Sequence, residues 1–310
     1  MMEMKWMGDK VRNYGTRIRG NKRYTPIVIA NHISAGTMGS MYYWFISPNN
    51  NNASSHFGVG RNGNIVQYIR LENAAWTQGL TAETIPKAIA DVVRRMGVNP
   101  NLYCIGIEHE GYVEGHLNDE GEVEVVNYGL DGDLTEEQFW ASAWLHKYIQ
   151  EEVQHVWGNR IVFSPETVLG HFQIDPIRKP FCPGSKFPWA RMYSVLAKAE
   201  TMTLDMFEEY IDYQRGGNSD YAQAYAVSER ARDLGGKLSD PRWGGPAATK
   251  LLWMTPILPA IGYDGEVTAA GISKRLLEIY DTFVKGGKFA GEALRKLLIV
   301  YTEMKSRSLL

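Results

Sequence analysis

The residues of this chain best suited to chemistry gather in one loop. In GHFQIDPIRKPFCPGSKFPW, residues 170–189, His171 and Cys182 stand eleven residues apart among prolines at 176, 180, 183 and 188. So many prolines exclude a long regular element, because each fixes φ and removes an N–H. Three explanations fit the pair: shared metal ligation, a thiol nucleophile beside its base, or packing alone. A zinc ion takes about four nitrogen, sulfur or oxygen donors, and a catalytic one keeps a position open for water. His171 and Cys182 offer two donors from one loop. His32 suits the third, at the exit of the short β-branched run PIVIAN, residues 26–31. Such a His/His/Cys set holds Cys182 as thiolate and brings the pKa of a bound water to roughly 7. A Cys182–His171 thiol hydrolase needs instead a nucleophile activated by a neighbouring base. The prolines around the cysteine and the His32 partner weigh against it.

Positioning these side chains requires a scaffold of fixed strand ends. PIVIAN reads as a buried strand. ISAGTMGSMYYWFIS then reads as a loop entering a short helix with Met41, Trp44 and Phe45 at helical spacing. SSHFGVGRNGNIVQYI, residues 54–69, is a predicted hairpin whose Asn62-Gly63 pair suits a tight primed turn. YCIGIEHEG, 103–111, is a further strand. Thr135 to Gln138 has the form of a capping box opening a helix to about Val156, with Trp140, Trp144 and Tyr148 on one stripe. PWARMYSVLAKAE closes the region as a helix. Interleaved strands and helices predict an α/β domain over residues 1–200.

Residues 201–310 read differently, as a smaller all-α domain. LDMFEEYIDYQ is a predicted helix ending at Gly216-Gly217, and a second covers about 219–233. Ile272, Leu276, Ile279, Tyr280 and Phe283 form one apolar helix face, and Leu294, Leu297, Leu298 and Tyr301 another. Gly286-Gly287 between them suggests an αα-hairpin. From Gly271 onward eight Lys or Arg face four Asp or Glu. This mild basicity fits an anionic wall polymer as partner, although a solvated helical face explains it more simply.

The ordered segments IVIANHISAG, SSHFGVGRNGNIVQYI, AAWTQG, IGIEHEG and GHFQIDPIRKPFCPG together resemble the zinc-dependent N-acetylmuramoyl-L-alanine amidases of the phage-lysozyme and peptidoglycan-recognition type. They span residues 26–189. The resemblance implies a mixed central β-sheet flanked by helices, one Zn2+ held by His32, His171 and Cys182, and Glu108 as general base. It further implies hydrolysis of the amide between N-acetylmuramic acid and L-alanine in peptidoglycan. Relatives lacking the thiolate ligand bind wall fragments without cutting them, so Cys182 separates hydrolase from binding module. Strand alternation agrees with the choice of base, since it points Glu108 and Glu110 to one face and His109 to the other. Ile105 and Ile107 would desolvate the Glu108 carboxyl and raise its pKa. Two positions depart from the family pattern. Pro180 replaces the lysine expected two residues before the cysteine, which leaves Lys179, or else Arg178, to serve the oxyanion. Ser55 replaces a catalytic tyrosine, and its short side chain is left with substrate contact at most. Trp76 matches a position that lines the cleft, and Asn31 stands next to the first ligand to orient it or the substrate. Cys104 reads as a buried, inert thiol.

Composition bounds the remainder. Hydrophobic residues make up 44% and charged residues 22%, with a net charge of -2. That is ordinary for a chain with a proper core and gives no electrostatic case for nucleic acid. Two cysteines make no disulfide framework. MMEMKWMGDKVRN lacks an apolar run of signal-peptide length, and no stretch has the ~20 apolar residues of a membrane span. The expectation is a protein made soluble in a host cytoplasm, of phage-endolysin type, that reaches the wall after release.

Overall fold

In the computed structural model, which describes residues 2–117, 121–125, 130–216, 220–285 and 289–310, one mixed sheet organises the first of two compact units. That unit is Met1–Leu204 and the second is Asp205–Leu310. The sheet has six strands: β1 (Met4–Trp6), β2 (Val28–Ile33), β3 (Phe57–Val59), β4 (Ile65–Gln67), β5 (Cys104–His109) and β6 (Val168–Gly170). Their spatial order is β1-β4-β3-β5-β2-β6, and only the β3–β4 hairpin is antiparallel. β2 is buried along its whole length, which suits the continuous apolar run of a strand covered on both faces.

Helices of this unit are α1 (Met38–Ile46), α2 (Asp91–Met96), α3 (Glu136–Trp157), α4 (His171–Ile174) and α5 (Trp189–Ala199). α3 and α1 take opposite faces of the sheet. On the α3 side, Phe57 meets Tyr148 edge-on at 6.5 Å, and Trp144 stacks on Tyr148 at 5.4 Å. On the α1 side, Met38, Met41 and Tyr68 close over Gly58, where a Cβ would lie 2.7 Å from the Met41 methyl. Full burial of side chains such as Phe57, Ile105 and Ile107 contributes roughly 1.5–3 kcal/mol each.

Some local devices differ from expectation. Gly63 N–H donates to Gly60 O at 2.9 Å and Gly63 alone is left-handed (φ 83°), so a three-residue loop joins the hairpin and Asn62 does not enter a primed turn. Thr135 caps α3 by accepting from Gln138 N, but the Gln138 amide does not reciprocate. It donates instead to Val59 O and Glu110 O, both at 2.9 Å, tying the helix start to two strands. Met41 and Phe45 are buried as the spacing predicts, whereas Trp44 is half exposed.

Arg17 is the largest of the fully buried side chains. Its guanidinium donates to Leu71 O (2.8 Å), Leu102 O (2.9 Å) and Cys104 O (3.3 Å), and contacts His56 Nε2 at 2.9 Å. One cation thereby satisfies three carbonyls from two separate segments, as a buried charge without a carboxylate must.

The second unit is helical: α6 (Leu204–Gln214), α7 (Asp220–Gly236), α8 (Gly244–Leu252), α9 (Ala269–Lys285) and α10 (Ala290–Ser306). α7, α9 and α10 pack on one another. α9 buries Ile272, Leu276, Ile279 and Tyr280 as its periodicity predicts. α10 buries Ala293, Leu297, Val300 and Met304, so the expected stripe through Leu294, Leu298 and Tyr301 lies along its margin. The small Ala293 occupies the buried line instead. Gly217 and the Gly286-Gly287 link lie outside the described residues. No described helix is long and apolar enough to cross a membrane.

Candidate metal centre

Three parallel strands end at the same place. Parallel register sets His32 of β2 beside Glu108 of β5, and Asn31 beside Gly170, the last residue of β6. His171 follows directly on the single turn of α4. Sites in open α/β sheets form outside the carboxyl ends of strands, and here that end carries His32, Glu108 and His171 together.

The proline-rich loop folds back to add Cys182. Its shape comes from Asp175, a buried carboxylate that accepts from Arg178 N at 3.1 Å and from Arg178 Nε at 2.7 Å. Lys179 N donates to Asp175 O, and Phe172 N to Cys182 O, both near 3 Å. Gly184 then passes close under Asp131 with φ 117°, a conformation L side chains avoid; a Cβ there would stand 2.3 Å from Asp131 O.

His32, His171 and Cys182 are all buried, and one donor atom from each lies within 4.8 Å of the others. The Nδ1 atoms of the two imidazoles face each other at 3.0 Å. Cys182 Sγ accepts the Ile33 N–H at 3.3 Å. Zinc bonds of about 2.0–2.3 Å put tetrahedral donors roughly 3.3–3.8 Å apart, so this trio needs only small movements to close on an ion. The donor chemistry fits as well. Burial pushes the Cys182 thiol up to about 12, with Glu108 adding to the rise. A bound cation is what makes a buried thiolate affordable. Burial lowers the His171 ring to about 4 and drives His32 well below its usual range, with the neighbouring imidazole and Lys179 adding to it, so both rings are neutral and able to ligate.

Glu108 opens into the same cleft, a cavity of ≈ 540 Å³ that His32, His171 and Cys182 also line. Its Oε2 is buried and has no hydrogen-bond partner among the described residues. Burial raises its pKa to about 7, and Lys179 opposes part of the rise. Glu110, on the same face, is committed elsewhere: its carboxylate accepts from Met38 N at the start of α1 and from Arg61 N. His109 faces the α3 side, bonded to His32 O at 2.9 Å and Ser142 Oγ at 2.8 Å. Lys179 lines the cleft. Arg178 lines it too, but pairs with Asp175 at 2.7 Å and also donates to Gly79 O.

The remaining expected contacts are not brought together with this group. Ser55 is fully buried and donates to Gly106 O at 3.0 Å, so it does not reach the cleft. Asn31, the neighbour of His32 on its strand, necessarily points to the opposite face, where its amide meets His146 Nε2 at 3.2 Å and Leu169 O. Trp76 is 37% exposed yet does not line the cleft; Trp44 of α1 does. Sequence reading missed Gln78. Its side-chain nitrogen lies 3.3 Å from His32 Nε2 and its main-chain oxygen 3.2 Å from His171 Nε2. Gly106 admits this loop, since a Cβ there would stand 2.7 Å from Thr77 Oγ1.

The family model described as N-acetylmuramoyl-L-alanine amidase matches residues 21–185. That segment holds all three candidate ligands and Glu108. No curated protein matches the chain. Among solved structures, a selenomethionine AmpD derivative is 19% identical over 63% of this chain and 95% of its own, with a TM-score of 0.40. The N-acetylmuramoyl-L-alanine amidase LysC from Clostridium intestinale is 15% identical over 64% of this chain and 99% of its own, with a TM-score of 0.39. The catalytic domain of XlyA is 18% identical over 62% and 98%, with a TM-score of 0.37. At these scores the structural likenesses are weak, and the family match stands without them.

Proposed function

The chain belongs to the N-acetylmuramoyl-L-alanine amidase family, and on that premise we propose that it hydrolyses the amide joining N-acetylmuramic acid to L-alanine in bacterial peptidoglycan. The observation that carries the reading is the buried His32–His171–Cys182 trio beside a partnerless Glu108 oxygen in one cleft. Zinc held by that trio supplies Lewis-acid polarisation and an acidified water. Glu108 takes the proton of the attacking water and returns it to the leaving amine of L-alanine. Its raised pKa suits both halves of that transfer near neutral pH. Lys179 offers positive charge where the carbonyl oxygen becomes an oxyanion, a role Arg178 fills less readily because Asp175 and Gly79 already engage it. Trp44, at the cleft wall, offers a surface for sugar or stem peptide.

A non-cutting wall-binding role has no specific support, because the third ligand is present. A thiol-nucleophile role fares worse, since burial holds Cys182 protonated. We assign the first unit this chemistry and the helical second unit wall attachment, with release of a phage-type enzyme onto the wall as its setting.

Mass spectrometry of digested walls tests the reaction. Free stem peptides bearing an N-terminal L-alanine amine are expected; new reducing sugar ends with no such amine would exclude an amidase. Metal loading is expected to depend on pH with a known sign. The Cys182 thiol, held near 12 by burial, must release its proton to ligate, so apparent zinc affinity falls as pH falls, about tenfold per unit. Between pH 8 and pH 6 calorimetry should record at least about a hundredfold weakening. A flat profile would remove the thiol from the ligand set.

A further inference from the structure

We propose that Gln78 is a positioning residue that sets the ring tautomers of both imidazole ligands, presenting their Nδ1 lone pairs to the metal. The inference rests on the zinc assignment above and concerns this chain's own hydrogen bonds. Gln78 is 1% exposed and reaches both rings from one loop position. Its main-chain oxygen stands 3.2 Å from His171 Nε2. A carbonyl can only accept, so His171 carries its proton on Nε2 and keeps Nδ1 as a lone pair.

The side chain governs His32. Its amide nitrogen faces His32 Nε2 at 3.3 Å, while its oxygen is buried with no partner among the described residues. In this arrangement the amide donates, Nε2 is the acceptor, and the His32 proton sits on Nδ1. There it points at the His171 Nδ1 lone pair, 3.0 Å away. That pair of bonds holds the two rings together, but it closes His32 to a cation. A half-turn of the amide about its terminal bond exchanges nitrogen and oxygen. The oxygen then accepts from His32 Nε2–H, and both Nδ1 lone pairs converge. The exchange trades an unpaired acceptor for an unpaired donor, a near-even change in itself. What decides it is that a ligating imidazole becomes a stronger Nε2–H donor, the usual reason such rings carry an outer acceptor. One residue thus serves two ligands, the His171 ring through its backbone and the His32 ring through a reversible amide.

Zinc affinity, read by competition with a chromophoric chelator at fixed pH, tests this on the full chain. Gln78→Met keeps the bulk and the backbone carbonyl but removes the acceptor, and should bind zinc about 10–100-fold more weakly. Gln78→Glu keeps an acceptor and should stay within about threefold of the unaltered chain. Equal affinity for Gln78→Met, or equal losses in both variants, would overturn the proposal. A second readout needs no variant: the zinc-loaded protein should show a protected His32 Nε2–H resonance in 1H–15N spectra, and a proton found on Nδ1 would overturn it. An unaltered chain that takes up no zinc at this trio sinks the amidase reading along with this one. Normal loading with an indifferent Gln78 sinks this one alone.

Discussion

Replacing Cys182 with alanine or serine is expected to leave the protein with almost no bound zinc and no measurable wall lysis. Structural zinc binds with roughly 10–16 kcal/mol shared among its ligands, so loss of one thiolate costs on the order of 3 kcal/mol, or a factor of 10²–10³ in affinity. Turnover should fall at least as far, because in the proposed mechanism the ion held by this trio would supply both the activated water and the polarisation of the amide. Alanine also leaves the Ile33 N–H, now bonded to Sγ at 3.3 Å, without its acceptor, which costs about 1–3 kcal/mol of stability. Serine is therefore the better variant for separating folding from metal loss. Cys104 is the internal control. It is buried on β5, four residues before Glu108 and outside the ligand trio, so Cys104→Ala should load zinc normally. Atomic absorption on the three purified variants decides the matter, and full zinc content in the Cys182 variants would remove the metal centre.

Glu108→Gln should behave in the opposite way toward metal. The amide is isosteric and ligates nothing, so zinc content is expected to be unchanged while kcat falls about 10²–10⁴-fold, the range for losing a general acid–base group. Normal turnover would remove Glu108 from the mechanism. The same substitution has a signature in the metal-free chain. Burial raises the Glu108 carboxyl to about 7 from an ordinary 4.5, so the folded state holds this proton more tightly than the unfolded chain. Stability therefore declines as pH rises from about 4.5 to 7, by up to about 3 kcal/mol, because ionisation is then paid for only in the folded state. Denaturation curves across that window should show the decline in the unaltered metal-free protein and a weaker one in Glu108→Gln.

The strands that carry the centre were legible because β-branched, continuously apolar runs such as PIVIAN have few alternatives in a covered sheet. His32 was read at the exit of such a strand, and Glu108 came from the family resemblance, with alternation agreeing on the face it takes. The same rule, applied to Asn31, would have placed it behind the sheet, since neighbours on a strand cannot share a face. Ser55 and Trp76 flank strands in irregular backbone, where no period says which way a side chain turns. Trp44 carried a helical period, yet its helix lies at the rim of the cleft, where a residue beside the buried line still meets solvent. Gln78 had no signal: it is a lone amide in a loop, and its importance comes from contacts to residues 46 and 93 positions away. In α10 the period was right but the phase was not, because a small alanine marks a close approach that hydropathy alone scores weakly.

The buried guanidinium of Arg17 bears on how far the amidase unit could be trimmed. Family likeness starts at residue 21, four positions after it. A fragment cut at that border would lose the donor that Leu71, Leu102 and Cys104 share, and Cys104 opens the very strand that carries Glu108. Each stranded carbonyl costs about 1–3 kcal/mol, a deficit comparable to the whole margin by which a domain this size stays folded. A workable fragment of the amidase unit therefore has to begin before Arg17, ahead of the border that family likeness marks at residue 21.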